Sequence, residues 1–296
     1  MPLEWAWVKR QKPVTPPDQG ISLAAEGGCC VLLLHGLTGT PTELGYLAHH
    51  LRHRGGHTVR VPRLANHGQP IGVLARTTWR QLFDSAHKAF EETRASARTR
   101  KAPLVVGGLS LGAVLALMLA AEYPEDVAGV ACLSPTLFYD GWNVPWYQKL
   151  LPLARYTPLK YFAWLRESEP FGLKDEDLRR RVAGEYNRMS LRESAESEKL
   201  GYAHFPVRLF CEMQPMMERC KRLLPEVRSP VLVVQAEQDD MTGPKNAQFI
   251  SDRVGSSRRE LMLLKHSYHL VTVDLERAAV AERLGTFCSS LKAAHA

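Results

Sequence analysis

From Leu104 to Ala121 the chain carries no charged side chain, and that approaches the length of a membrane-spanning helix. The glycines argue against a span. Val105 and Val106 are β-branched, Ala113 to Ala121 is rich in helix formers, and Gly107, Gly108 and Gly112 stand between them around Ser110. An apolar run that changes propensity at glycines reads as a buried strand turning sharply into a buried helix.

The rest of the sequence repeats that alternation. Short apolar runs are expected as strands at Ile21 to Ala25, Cys30 to Leu34, Thr58 to Val61, Leu104 to Val106, Val127 to Leu133, Val231 to Gln235 and Glu260 to Leu264. Helices are expected over Pro41 to Arg54, Thr78 to Arg98 and Ala279 to Leu291; in the second, Trp79, Phe83, Ala86 and Phe90 form one apolar stripe. Strands alternating with amphipathic helices signal an α/β fold with a mostly parallel central sheet flanked by helices. The alternation breaks between Pro135 and Ser229, where prolines, aromatics and charged helix-like stretches take over. Residues 1–134 and 230–296 are therefore expected to form the core, and 135–229 a helical insertion. Its aromatics, Trp142, Trp146, Tyr147, Tyr156, Tyr161, Phe162, Trp164 and Phe171, would make a small core of their own and roof an apolar cleft.

Composition excludes several classes. With 296 residues, 45% of them hydrophobic and 23% charged, the chain is neither disordered nor fibrous. The net charge is +7, but the positives are scattered and lack interleaved aromatics, so no nucleic-acid partner is expected. Six cysteines include no C-x-x-C pair, which suits reduced thiols. The first residues contain no apolar leader core, and a cytoplasmic protein without stable membrane insertion is expected. His49 and His53 share one helical face, yet no carboxylate or cysteine accompanies them at ligand spacing, so no metal site is expected.

The chemistry centres on Gly108-Leu109-Ser110-Leu111-Gly112. A serine presented on a strained strand-to-helix turn needs small residues two positions to either side, so that backbones can approach and the hydroxyl can project. That hydroxyl needs a base, and the base needs an acid to hold its tautomer. On such a sheet the acid and then the histidine follow the serine, each just past a strand end. Glu237, Asp239 and Asp240 follow one strand, and His266 and His269 follow the next; the residues alone leave these alternatives open. The developing oxyanion needs backbone donors. Leu111, after the nucleophile, supplies one, and Leu37 in the His35-Gly36-Leu37-Thr38-Gly39 loop the other. His35 reads as a residue that holds this loop.

These segments make the chain resemble the α/β-hydrolase superfamily, in its bacterial carboxylesterase and monoacylglycerol-lipase-like branch. The similar motifs are LLLHGLTGTP at 32–41, VGGLSLGAVLAL at 106–117, PVLVVQAEQDDMTGP at 230–244 and HSYHLVTVD at 266–274. The resemblance covers the chain from about residue 20 to residue 293, with the insertion matching loosely. The resemblance places the acid on Asp239, the histidine on His269 and a later acid on Asp274. It implies a catalytic set of Ser110, Asp239 and His269, with Leu37 and Leu111 as oxyanion donors, no cofactor, and an insertion acting as a cap. The expected substrate is a small-molecule apolar ester with a small or medium-chain acyl group, with thioesters or amides open to the same triad. A non-catalytic binding module on this fold is the alternative of another class. Tyr268 stands where the family commonly has glycine, and is expected to reshape the cleft.

Overall fold

The computed structural model describes residues 3–5, 20–188 and 201–295. In chain order the strands are β1 (Leu3–Trp5), β2 (Gly20–Leu23), β3 (Cys30–Leu34), β4 (Thr58–Pro62), β5 (Leu104–Leu109), β6 (Val127–Leu133), β7 (Ala163–Arg166), β8 (His204–Pro206), β9 (Val231–Ala236) and β10 (Arg259–Leu264). The helices are α1 (Gly45–Gly55), α2 (Ile71–Leu74), α3 (Trp79–Arg100), α4 (Leu111–Glu122), α5 (Leu151–Ala154), α6 (Glu176–Arg188), α7 (Val207–Leu223), α8 (Lys245–Arg253) and α9 (Arg277–His295).

Seven strands form one sheet in the order β10-β9-β6-β5-β3-β4-β2, with only β2 antiparallel to its neighbour. Every residue of β3, β5 and β9 is buried, as strands covered on both faces require. Alternate side chains go to opposite faces. Leu32, Leu34 and Val106 join a core with Phe90 of α3 and Val114 of α4, while Val31, Leu33 and Val105 join a second with Leu51 of α1 and Phe287 of α9. At the β10 edge, Leu261 and Leu263 are exposed. All seven expected strands are present. β5 runs on through the glycines to Leu109, because its register with β3 continues to Leu34↔Gly108 and with β6 to Leu109↔Leu133.

The uncharged run from Leu104 to Ala121 is β5 followed by α4. Leu111 to Ala121 are all buried, since α4 lies against β5 and β6 on one side and α7 on another. Among the described residues no helix is long and apolar enough to cross a membrane. Helix α3 begins where expected: the Thr78 side chain accepts the Gln81 N–H, and the Gln81 side chain accepts the Thr78 N–H. This reciprocal cap satisfies two first-turn donors. Thr78→Ala is expected to cost about 1 kcal/mol and, at this chain length, to lower Tm by about 2 °C in a thermal melt.

One expectation for the outer segments needs correction. The insertion is not all helical: β7 pairs antiparallel with β8, Leu165 opposite Phe205. The N-terminal strand also joins it: β1 pairs with β7, Leu3 opposite Leu165. These strands are three or four residues long and pair across long stretches of chain, so no hairpin turn marks them in the sequence. The aromatics also divide. Trp164 is buried and Phe171 meets Tyr186 edge-on at 5.4 Å, whereas Trp142, Trp146, Tyr156, Tyr161 and Phe162 are exposed. They do not form one core. One of the charged helix-like stretches, expected over Lys174 to Glu198, is α6 as far as Arg188; 189–198 lies outside the described residues.

Candidate active site

Ser110 sits where β5 becomes α4, at the carboxyl end of a central strand, the end of a parallel sheet at which ligands bind. Its backbone has φ 56° and ψ −114°, a strained conformation for a non-glycine residue. Its N–H donates to Leu133 O at 2.9 Å. The flanking glycines are a steric requirement. A Cβ on Gly112 would lie 1.9 Å from Leu34 O, and one on Gly108 would lie 2.5 Å from the same oxygen. Helix α4 can start this close to the end of β3 only because both side chains are absent.

The acid slot follows β9 and the histidine slot follows β10. His269 Nδ1 lies 3.0 and 3.1 Å from the two carboxylate oxygens of Asp239. Four further donors hold that carboxylate: Gln235 Nε2 at 2.8 Å, Met241 N at 2.9 Å, Thr242 N at 2.7 Å and Thr242 Oγ1 at 3.1 Å. Asp240 turns to the backbone instead, accepting the amides of His269 at 3.3 Å and Gly172 at 3.1 Å. Glu237 and His266 are exposed. Asp274, fully buried, accepts the amides of Tyr268 and Lys174, both at 2.8 Å, and so ties the histidine loop to the insertion.

Ser110 and His269 line one cavity, but their side chains are not hydrogen-bonded to each other. The Ser110 and Thr136 hydroxyls are paired at 2.8 Å, and His269 Nε2, buried, has no hydrogen-bond partner. Catalytic hydrogen bonds are often open before substrate arrives, and rotation about one Ser110 bond redirects Oγ. Thr136, 4% exposed, was not singled out by the sequence. The available signal was its place just past the end of β6, the strand beside β5.

Burial opposes charging His269, yet Asp239 against Nδ1, with Asp240 and Glu43 farther off, outweighs burial and lifts its pKa above the ordinary imidazole value. A histidine acting as base must be neutral, so activity is lost as pH falls through that raised pKa. The acid limb of kcat/KM is therefore expected to have its midpoint above about 6.5, the ordinary histidine value. Asp239→Asn, which removes the charge, is expected to move the midpoint down while cutting kcat by about 10⁴-fold. A pH–rate profile of both proteins measures it.

The loop after β3 is held by its histidines. His35 Nε2 accepts the Leu64 N–H at 3.0 Å, which leaves Nδ1–H to donate to Gly36 O at 2.8 Å. Burial holds the His35 pKa well below the imidazole range, consistent with a neutral structural ring. A trans peptide is planar, so anchoring Gly36 O fixes the Leu37 N–H in the opposite direction. His67 Nε2 donates to Leu37 O at 2.6 Å, and the insertion's Tyr202 N–H donates to Thr38 O at 2.9 Å. Leu37 lines the cavity. Leu111 opens α4, where first-turn amides have no partner within the helix.

The insertion supplies the apolar wall of the cavity with Val144, Leu165, Phe171, Phe205 and Phe210, and the polar lining includes Glu43, Glu167 and Asn143. Tyr268 is not among these residues. Its ring meets Trp142 edge-on at 5.6 Å, and Lys174 Nζ lies 5.4 Å from its centroid, so the side chain expected to reshape the cleft packs outside its lining. His49 and His53 stack at 5.9 Å, and among the described residues no group of three or more potential ligands could hold a metal.

A mostly parallel sheet, a serine on a strained turn at a central strand end, and a histidine–carboxylate pair at the next strand ends together define an α/β-hydrolase. The family profile described as serine aminopeptidase, S33, matches residues 28–276, and the chain belongs to that family. It is 26% identical over 260 residues to the thermostable monoacylglycerol lipase of Bacillus sp. (strain H-257), spanning 88% of this chain and 90% of that protein. It is also 26% identical over 269 residues to the carboxylesterase of Bacillus subtilis (strain 168), spanning 90% and 94%. Among solved structures, one of the metagenome-derived lipolytic enzymes LipS and LipT superposes with a TM-score of 0.74 at 25% identity, covering 94% of this chain and 99% of that one. The monoacylglycerol lipase of Paleococcus ferrophilus shares the fold, with a TM-score of 0.71 at 22% identity over 92% and 98% of the two chains.

Proposed function

We propose that the protein is a carboxylic ester hydrolase that works through an acyl-enzyme on Ser110. One observation carries the reading: a serine at positive φ shares a cavity with a buried histidine whose Nδ1 is held by Asp239. In the reaction, Ser110 Oγ turns from Thr136 to His269 Nε2, loses its proton to that nitrogen and attacks the ester carbonyl. The Leu37 and Leu111 amides stabilise the tetrahedral oxyanion. His269 returns the proton to the leaving alcohol, and water then cleaves the acyl-serine by the same route. Asp239 holds the ring's tautomer and stabilises the imidazolium.

The insertion, residues 135–229, serves as a cap whose apolar wall receives the acyl chain, and small or medium-chain acyl groups are its substrates. The relatives named monoacylglycerol lipase and carboxylesterase support that class. A cytoplasmic location is part of the same reading, supported by six free, buried cysteines. The test is hydrolysis of p-nitrophenyl esters and monoacylglycerols of increasing chain length. Turnover that peaks at short to medium chains is expected; no turnover of any ester would refute the assignment.

A further inference from the structure

Glu43 occupies the short 3-10 helix Pro41–Leu44 that follows the oxyanion loop, where a sequence reading sees only an acidic residue in a helix's first turn. In the structure its carboxyl turns back into the loop and accepts the Gly36 N–H. It also lines the cavity that holds Ser110 and His269. Gly36 is enclosed between acid and nucleophile: a Cβ there would lie 3.2 Å from Glu43 Oε1 and 3.8 Å from Ser110 Cβ. A Cβ on Gly39 would lie 2.0 Å from Glu43 Oε2. Both glycines of the loop thus leave room for this one carboxyl.

A half-buried carboxyl turned into a loop is expensive to keep, and this one meets a specific need. His35 anchors the Gly36 carbonyl and Glu43 anchors the Gly36 amide. With both ends of the residue held, the Gly36–Leu37 peptide cannot flip, although glycine would otherwise permit it. We propose that Glu43 is a positioning residue of the hydrolase: it holds the Gly36 amide so that the Leu37 amide stays aimed at the carbonyl under attack by Ser110. This rests on the ester-hydrolase reading above.

The groups that face Glu43 give the proposal a second readout. His269 from the loop after β10, Tyr186 from α6, Glu167 and Asp240 line the same cavity as Glu43. Burial pushes the Glu43 carboxyl up to about 7, against the Gly36 hydrogen bond and His269. The ionised fraction of Glu43 is the smallest of the contributions that raise the His269 pKa, so removing the carboxylate moves the acid limb of activity only slightly to lower pH.

The experiment compares Glu43→Ala and Glu43→Gln with the native enzyme on p-nitrophenyl butyrate across pH, with circular dichroism as a check on folding. Losing one oxyanion donor outright costs about 10²–10³-fold in kcat. Glu43→Ala, which leaves the donor present but loosely held, is expected to lose about 10- to 100-fold in kcat with KM changed by less than about 3-fold. Glu43→Gln keeps an acceptor for the Gly36 amide and is expected to recover most of that loss, with its acid limb at lower pH than the native enzyme's. Two results would overturn the proposal: native kcat in Glu43→Ala, or a Gln variant as impaired as the Ala variant. Should the Ala variant fail to fold, Glu43→Leu, close in size but without an acceptor for the Gly36 amide, takes its place: the same loss of kcat is expected, and native kcat there would overturn the proposal. An inactive native enzyme would refute the ester-hydrolase reading, and this proposal with it, whereas an active native enzyme with an indifferent Ala variant refutes only the role of Glu43.

Discussion

Ser110→Ala is expected to cut ester turnover by about 10⁴- to 10⁶-fold while leaving the fold intact. Removing the nucleophile of a serine hydrolase leaves only the residual acceleration supplied by binding and the oxyanion donors. The structural cost is small. Alanine tolerates φ 56° no worse than serine, and the one side-chain hydrogen bond lost, to Thr136 at 2.8 Å, is worth about 1 kcal/mol. The loss of rate therefore reports on chemistry rather than on unfolding. A kcat measurement on p-nitrophenyl butyrate beside a thermal melt separates the two, and turnover within tenfold of the native rate would place the chemistry elsewhere.

Gly112→Ala is expected to damage both stability and rate, and by a different route. The added methyl would meet Leu34 O at 1.9 Å, Leu34 C at 2.5 Å and His35 O at 3.0 Å. All three are backbone atoms at the end of β3, so no side chain can swing aside. Helix α4 must draw back from the sheet, and overpacking of this kind costs about 1–3 kcal/mol or more. The strand end it displaces leads directly into the loop bearing the Leu37 amide, while α4 itself carries Leu111. The two expected oxyanion donors therefore separate, and a misplacement of about 1 Å costs about 10²-fold in rate. Gly184→Ala is the control. It lies in the exposed part of α6 with nothing within 4 Å of an added Cβ, and alanine there is expected to stabilise the helix by up to about 1 kcal/mol without changing kcat. Thermal melts and ester assays on the two variants measure the contrast; a Gly112→Ala protein with native Tm and kcat would contradict the geometry of the turn.

The sheet was legible because its strands are buried on both faces and so read as apolar runs ending at glycine. The serine turn was legible for a related reason, since steric demand leaves glycine at 108 and 112 and little else. The acid slot was not. Glu237, Asp239 and Asp240 are all carboxylates just past one strand, and which of them meets His269 depends on loop backbone that no periodicity encodes; resemblance to the family pointed to Asp239, and the distances place Asp239 against Nδ1. Thr136 and Glu43 stayed hidden because their contacts depend on rotamers and on segments that meet only in the folded chain. The strands β7 and β8 are short, lack a turn signal and lie among prolines and aromatics, so that region read as helical.

The most direct test is to soak the crystalline protein with an alkyl fluorophosphonate and locate the covalent phosphorus by diffraction. The account predicts continuous density from Ser110 Oγ to phosphorus, with the phosphoryl oxygen within hydrogen-bond reach of the Leu37 and Leu111 amides and the alkyl chain against Leu165, Phe205 and Phe210. An unmodified Ser110, or phosphorus attached to another side chain, would contradict it.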